Sequence, residues 1–215
     1  MKDTYLSIDM DFWCKHFGIE HTTAFFNKIS ALNIKPVVVK YHHELAKYAS
    51  CDNGLTRLLN MDYHSDIADI KECTLDAFNE GTWVNYVRMS ENNEFVWYYP
   101  LKQCVGYRTG YCHTNIRNNP FNDNNQGKYN WKSVTCIHGE VPDNELDRVS
   151  KIGICLSPDW ITDVQKTNFV ALLDSFGYVD ERTKLRLKKA IMHESMHESM
   201  DEHKEFTILN RKLLY

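Results

Sequence analysis

Carboxylates and imidazoles recur at alternate positions in two short stretches of this chain, a pattern suited to holding metal ions. Leu58-Leu59-Asn60-Met61 runs into Asp62-Tyr63-His64-Ser65-Asp66, and Tyr5-Leu6-Ser7-Ile8 runs into Asp9-Met10-Asp11. Successive side chains of a strand point to opposite faces. Asp62, His64 and Asp66 are therefore expected to project together, as are Asp9 and Asp11. A third apolar run, Pro36 to Val39, delivers His42, His43 and Glu44. Carboxylate oxygens mixed with imidazole nitrogens, without thiolate, suit Mn²⁺ or Fe²⁺, with Zn²⁺ as an alternative. A ligand set of Asp9, Asp11, His42, Asp62, His64 and Asp66, with shared carboxylates, suits two ions. Two ions can lower the pKa of a water and stabilise the charge that develops during a hydrolysis. Packing alone would gather four carboxylates at one sheet edge only against strong mutual repulsion.

The elements that must position these groups read as alternating strand and helix. A strand over Tyr5–Met10 is followed by a helix from a Thr22 cap to about Leu32, whose Phe25, Phe26, Ile29 and Leu32 recur at helical spacing. Pro36 to Tyr41 reads as a short buried strand and Glu44 to about Ser50 as a polar helix. Cys51 to Gly54 then reads as a turn before the strand that ends at Asp62. Such alternation implies a mostly parallel sheet, and parallel sheets place their sites at the C-terminal strand edge. From about 88 to 147 the texture changes to aromatic residues (Phe95 to Tyr99) and an Asn-rich run (Asn115 to Asn130), expected to form an elaborated loop region or small antiparallel flap. A buried strand that meets a polar stop returns over Val149 to Trp160, with helices expected over roughly 162–176 and 181–203. No linker divides the chain, so residues 1–215 are read as a single domain with one excursion.

Composition narrows the classes. A 43% hydrophobic chain with nine Gly and five Pro is an ordinary globule, and its longest apolar runs are far too short to span a membrane. Seven Cys without Cys-x-x-Cys or regular spacing read as reduced thiols. Asp3, Asp9 and Asp11 interrupt any signal-peptide core, so a cytoplasmic location is expected. A net charge of −4 with dispersed Lys and Arg disfavours a dedicated nucleic-acid binder. A small or peptidic substrate fits better, and a homo-oligomer is compatible with all of this.

The ligand pattern resembles that of arginases, agmatinases and histone-deacetylase-like hydrolases. These carry a His after one parallel strand, Asp-x-His-x-Asp after another and Ser-x-Asp-x-Asp after a third. The segments SIDMDFW, VVVKYHHEL, LLNMDYHSD, NEGTWV and ICLSPDW look most like the small atypical arginase-like family whose members include peptide arginases. The resemblance covers most of residues 5–90 and 150–162. It implies an arginase-like three-layer α/β sandwich, two Mn²⁺ per chain, and conversion of arginine in a ribosomally made precursor peptide to ornithine with release of urea. It implies Asp9 and Asp62 as bridging carboxylates, Asp11 and His42 as terminal ligands of different metals, and His64 and Asp66 serving one metal each. The Ser-x-Asp-x-Asp strand comes first here rather than last, a permuted order that a site built in space tolerates.

Where arginases place a proton-shuttling His, about eighteen residues after the first Asp of Asp-x-His-x-Asp, this chain has Glu80, beside Trp83. An apolar setting can raise a Glu into the range for acid-base work, so Glu80 is expected to be the catalytic shuttle. Asp159 stands where such hydrolases keep a carboxylate for the substrate guanidinium, a planar fork that a carboxylate meets with two parallel hydrogen bonds. Glu44 is expected to bind substrate or to brace His42. Two alternatives remain. His193-Glu194-Ser195-Met196-His197 is a formal zinc-protease motif with His203 beyond it, although Met200 stands where a turn-forming Gly would be needed. A non-catalytic metal-dependent binding module would keep the same ligands without turnover.

Overall fold

The computed structural model describes residues 3–13, 19–50, 55–67, 78–89, 93–100 and 131–193. Six strands run in chain order: β1 (Thr4–Asp9), β2 (Val37–Val39), β3 (Arg57–Met61), β4 (Glu94–Tyr99), β5 (Ser133–His138) and β6 (Val149–Cys155). They form one sheet in the order β2-β6-β1-β3-β4-β5, with every pairing parallel. The helices are α1 (Ile19–Ala31), α2 (Ala46–Ser50), α3 (Asp143–Leu146), α4 (Asp163–Ser175) and α5 (Glu181–His193), with 3-10 turns at Met10–Trp13, His42–Leu45 and Trp83–Tyr86.

Strand alternation divides the interior into two cores. Leu6, Ile8, Leu59, Met61, Ile152 and Ile154 point to one face, where α1 (Phe25, Phe26, Ile29), α4 (Phe169, Val170, Leu173) and Leu187 of α5 cover them. Tyr5, Leu58, Phe95, Trp97 and Cys155 point to the other, against Leu45, Ala46 and Ala49 and the Trp83–Tyr86 turn. The result is a three-layer α/β sandwich with helices on both faces of a parallel sheet, as the alternating pattern implies. Burial of this kind on both faces is what parallel sheets require.

Topology places a crevice at the centre. After β1 the chain crosses past β6 to reach β2, whereas after β3 it moves outward to β4. The loops leaving the adjacent strands β1 and β3 therefore diverge, and a crevice opens at their C-terminal ends. Asp9 and Asp62 stand at this point.

The aromatic segment differs from expectation. Phe95–Tyr99 belongs to no antiparallel flap; it is part of β4, parallel to β3 and β5 in the main sheet. Its Trp97 and Tyr99 fill one core and Val96 and Tyr98 the other, so the aromatic content reflects burial on both faces. Thr22 does not start α1. The helix begins at Ile19, and Thr22 lies inside it, buried. The Cys51–Gly54 turn, the Asn115–Asn130 run and the segment from Glu194 through His203 lie outside the described residues. Among the described residues no helix is long and apolar enough to cross a membrane.

Candidate metal centre

Four chain segments meet at the C-terminal edge of the sheet, and the backbone of each dictates what it presents. β1 ends in Asp9, and the 3-10 turn that follows carries Asp11, whose N–H donates to Asp9 Oδ1 at 3.0 Å. β3 ends at Met61; the His64 N–H then donates to Asp62 Oδ1 at 2.9 Å and the Tyr63 N–H to Asp11 Oδ1 at 3.3 Å. His42 opens the 3-10 turn after β2. Ser157 follows β6 and donates to Asp9 Oδ2 at 2.5 Å. Asp11, His64 and Asp66 thus converge through turns beyond the strand ends, and not by strand alternation as the sequence pattern suggested. Asp66 and Ser157 take φ of +54° and +45°, left-handed conformations that cost a non-glycine residue about 1–3 kcal/mol and cluster at functional sites.

His42 is the centre of the first group. Its Nδ1 lies 3.1 Å from Asp9 Oδ2, 3.1 Å from Asp62 Oδ2 and 2.7 Å from Asp66 Oδ2. Yet this buried nitrogen has no well-directed hydrogen bond. One N–H cannot serve three acceptors. Ligand bonds of about 2.0–2.2 Å around an octahedral ion put neighbouring ligand atoms about 2.8–3.1 Å apart, so the spacing fits a shared cation. On the far side of the ring, Nε2 is 2.6 Å from Ser7 Oγ, which fixes the imidazole with Nδ1 turned inward. The Trp83 ring packs 4.8 Å from His42, and its indole N–H donates to Asp66 Oδ2 at 2.7 Å.

Asp62 joins this group to a second. Asp9, His42 and Asp62 present ligand atoms within 4.8 Å of one another, and so do Asp11, Asp62 and His64. His64 Nδ1 is 3.2 Å from Asp11 Oδ2. Asn60 donates to Asp62 Oδ2 at 3.1 Å, and Trp97 donates to the Asp62 carbonyl at 2.9 Å. Each triad could hold a metal ion, and the two share one carboxylate.

The electrostatics agree. Burial, with the charge of Asp11, raises the Asp9 carboxyl above its usual range; burial and Asp62 do the same to Asp11. Asp62 is pushed up to about 7 by burial and by the charges of Asp66 and Asp9. Asp66 is also raised by burial. Burial works against a charged His42, but the surrounding carboxylates hold it well above an ordinary imidazole. The protein alone therefore needs protons to keep four buried carboxylates together, and cations would replace them. The neighbouring Cys155 thiol is kept protonated by burial and by Asp9, and donates to the Lys40 carbonyl at 3.3 Å. The donor set is oxygen and nitrogen, suited to a hard or borderline divalent ion.

Around the mouth stand Glu80, Asp159 and Trp160. Burial, followed by the charges of Asp9 and Asp159, raises Glu80 to about 7, and its Oε1 is buried without a hydrogen-bond partner among the described residues. Asp159 is exposed. Glu44 is engaged elsewhere: Oε1 accepts from the Tyr41 N–H at 3.0 Å and Oε2 from Arg186 at 2.6 Å. It closes the capping box of its 3-10 turn and pairs with Arg186 of α5. Sequence reasoning passed over Ser157, Asn60 and Trp83 as site residues and read Ser7 only as part of a motif. Compared with known proteins, the chain matches no family model, no curated protein and no solved structure.

Proposed function

We propose that this chain is a cytoplasmic, binuclear metal-dependent hydrolase that removes the guanidino group of peptidyl arginine, leaving ornithine in a ribosomally made peptide and releasing urea. The observation that carries the metal-dependent part is His42 Nδ1 facing three carboxylate oxygens, in a triad that shares Asp62 with a second triad. The guanidino substrate and Mn²⁺ rest on the resemblance to peptide arginases.

Asp9, Asp62, Asp66 and His42 would hold one ion, and Asp11, His64 and the shared Asp62 the other. A metal pair, when bound, supplies Lewis acidity and a water acidic enough to act as nucleophile at neutral pH. The protein's own groups do the rest. Ser7, Ser157 and Trp83 fix His42, Asp9 and Asp66 in place through the hydrogen bonds described. Asp159, exposed at the mouth, pairs with the guanidinium and orients its central carbon. As the water oxygen bonds to that carbon, the bond to the side-chain nitrogen breaks. Glu80 protonates the departing amine and recovers its proton from the attacking water. A carboxyl near 7 is poised for both transfers at neutral pH.

The test combines metal content with mass change. Protein purified with Mn²⁺ should carry near two ions per chain and should lower the mass of an arginine-containing peptide by about 42 Da per arginine, the CN₂H₂ lost to urea. Bound metal with no mass change on any arginine peptide or on free arginine would refute the guanidine reading and leave a metal centre of other use.

A further inference from the structure

Trp160 is 46% exposed, although it stands in the turn after β6 at the rim of a buried site. Its ring packs against His64, with centroids 4.8 Å apart and planes tilted by 52°. Its indole lies beside the Glu80 carboxyl. Part of the ring surface therefore rests on a candidate ligand with Glu80 close by, while the remainder is open to solvent next to the exposed Asp159.

Charge at the mouth points to what that open surface takes. Two divalent ions would balance the four buried carboxylates Asp9, Asp11, Asp62 and Asp66, which leaves Asp159 and Glu80 as surplus acids at the entrance. Among the described residues Lys40 stands near them, with Nζ 4.5 Å from the Tyr41 ring centroid. An aromatic face beside two carboxylates recognises an organic cation: the ring quadrupole attracts the charge and the face matches a planar group. A guanidinium fits both properties, whereas a compact ammonium uses only the first.

We propose that Trp160 is a specificity-determining residue, a wall beside Glu80 on which the planar cationic head of the substrate stacks. This rests on the hydrolase reading for its chemistry, but the binding stands apart from turnover.

The experiment titrates the Mn²⁺-supplied full chain with butylguanidinium and with its neutral counterpart butylurea, by calorimetry and by tryptophan emission. Metal content is measured in each variant. Wild type should bind butylguanidinium at least about tenfold more tightly than butylurea. Trp160→Leu should lose about tenfold in affinity for the cation with its metals retained. Trp160→Phe keeps an aromatic wall, so it should bind within about threefold of wild type yet lose the ligand-induced emission change. That last comparison holds even if the Leu variant folds poorly. Equal affinity for the cation and the urea, unchanged binding in Trp160→Leu, or an unchanged emission signal in Trp160→Phe would overturn the wall. Cation binding that behaves as expected, with no peptide converted, would overturn the hydrolase reading alone.

Discussion

Removing the Asp62 carboxylate takes an oxygen from both triads at once, so its loss should differ in kind from the loss of Asp11, which belongs to one. Asp62→Ala is expected to bring metal content from about two ions per chain to near none, and Asp11→Ala to about one. Quantitative metal analysis of the folded variants decides it, and equal stoichiometry in the two would mean that Asp62 is not shared. Protonation supplies a second prediction at this scale. In the metal-free protein His64 is held charged up to about 9: burial favours the neutral ring, but the hydrogen bond and charge of Asp11, with Asp62 and Asp66, outweigh it. Asp62 holds its proton up to about 7, whereas the ordinary values are 6.5 for His and 3.8 for Asp. The native state thus binds more protons than the unfolded chain, and stability falls as pH rises wherever that holds. Asp62 contributes its loss between 3.8 and about 7, and His64 between 6.5 and about 9. The Tm of chelated protein should therefore fall with rising pH across this range, while Mn²⁺ affinity strengthens and binding releases protons. A chelated Tm that rises instead would show that these groups ionise without hindrance.

At the scale of elements, the turn that carries His42 depends on a glycine in the neighbouring strand. A Cβ at Gly153 of β6 would lie 2.3 Å from the Tyr5 hydroxyl and 2.8 and 2.9 Å from the two Leu45 methyls. Leu45 and His42 share one 3-10 turn, and Tyr5 and Leu45 are fully buried. Gly153→Ala should thus cost about 1–3 kcal/mol by overpacking. Leu45 yields by shifting the turn it shares with His42, so metal binding should weaken as well. A denaturant midpoint and a Mn²⁺ titration measure the two effects, and a destabilised variant with unaltered affinity would uncouple them. The same elements show what the sequence made legible. β1, β2, β3 and β6 are apolar runs that stop at polar residues, which is how strands buried on both faces and ending at a site must read. β4 was visible as a strand but not as a member of the main sheet, because aromatic side chains serve a flap and a core equally well. β5 carried no such run, since its outer residues are largely exposed at the sheet edge. The six ligand candidates were legible by type. Their convergence was not, because it depends on turns such as the left-handed Asp66. Ser157 lies 148 residues from its partner Asp9, and no local pattern announces a contact of that range.

Across the whole molecule, the candidate centre joins segments that the chain keeps far apart: the end of β1, the turns after β2 and β3, and, through Ser157, the turn after β6. The two hydrophobic cores lie on either side of the sheet and do not need the cluster in order to pack. Metal removal should therefore loosen the C-terminal edge of the sheet while the strand interiors stay protected. A ligand present at a hundred times its Kd stabilises by about 2.7 kcal/mol, which for a chain of this size is a shift of about 5–10 °C in Tm. Chelation is expected to lower Tm by roughly that amount. Native-state hydrogen exchange adds the spatial detail. The amides of Asp11, Tyr63 and His64 donate to Asp9, Asp11 and Asp62. Their exchange should accelerate on chelation, because unbalanced carboxylates repel and the turns open, while Leu6, Leu59 and Ile152 should change only with global stability. Uniform acceleration would instead make the metal a staple of the entire sheet, and no change in either measurement would remove the ions from the account.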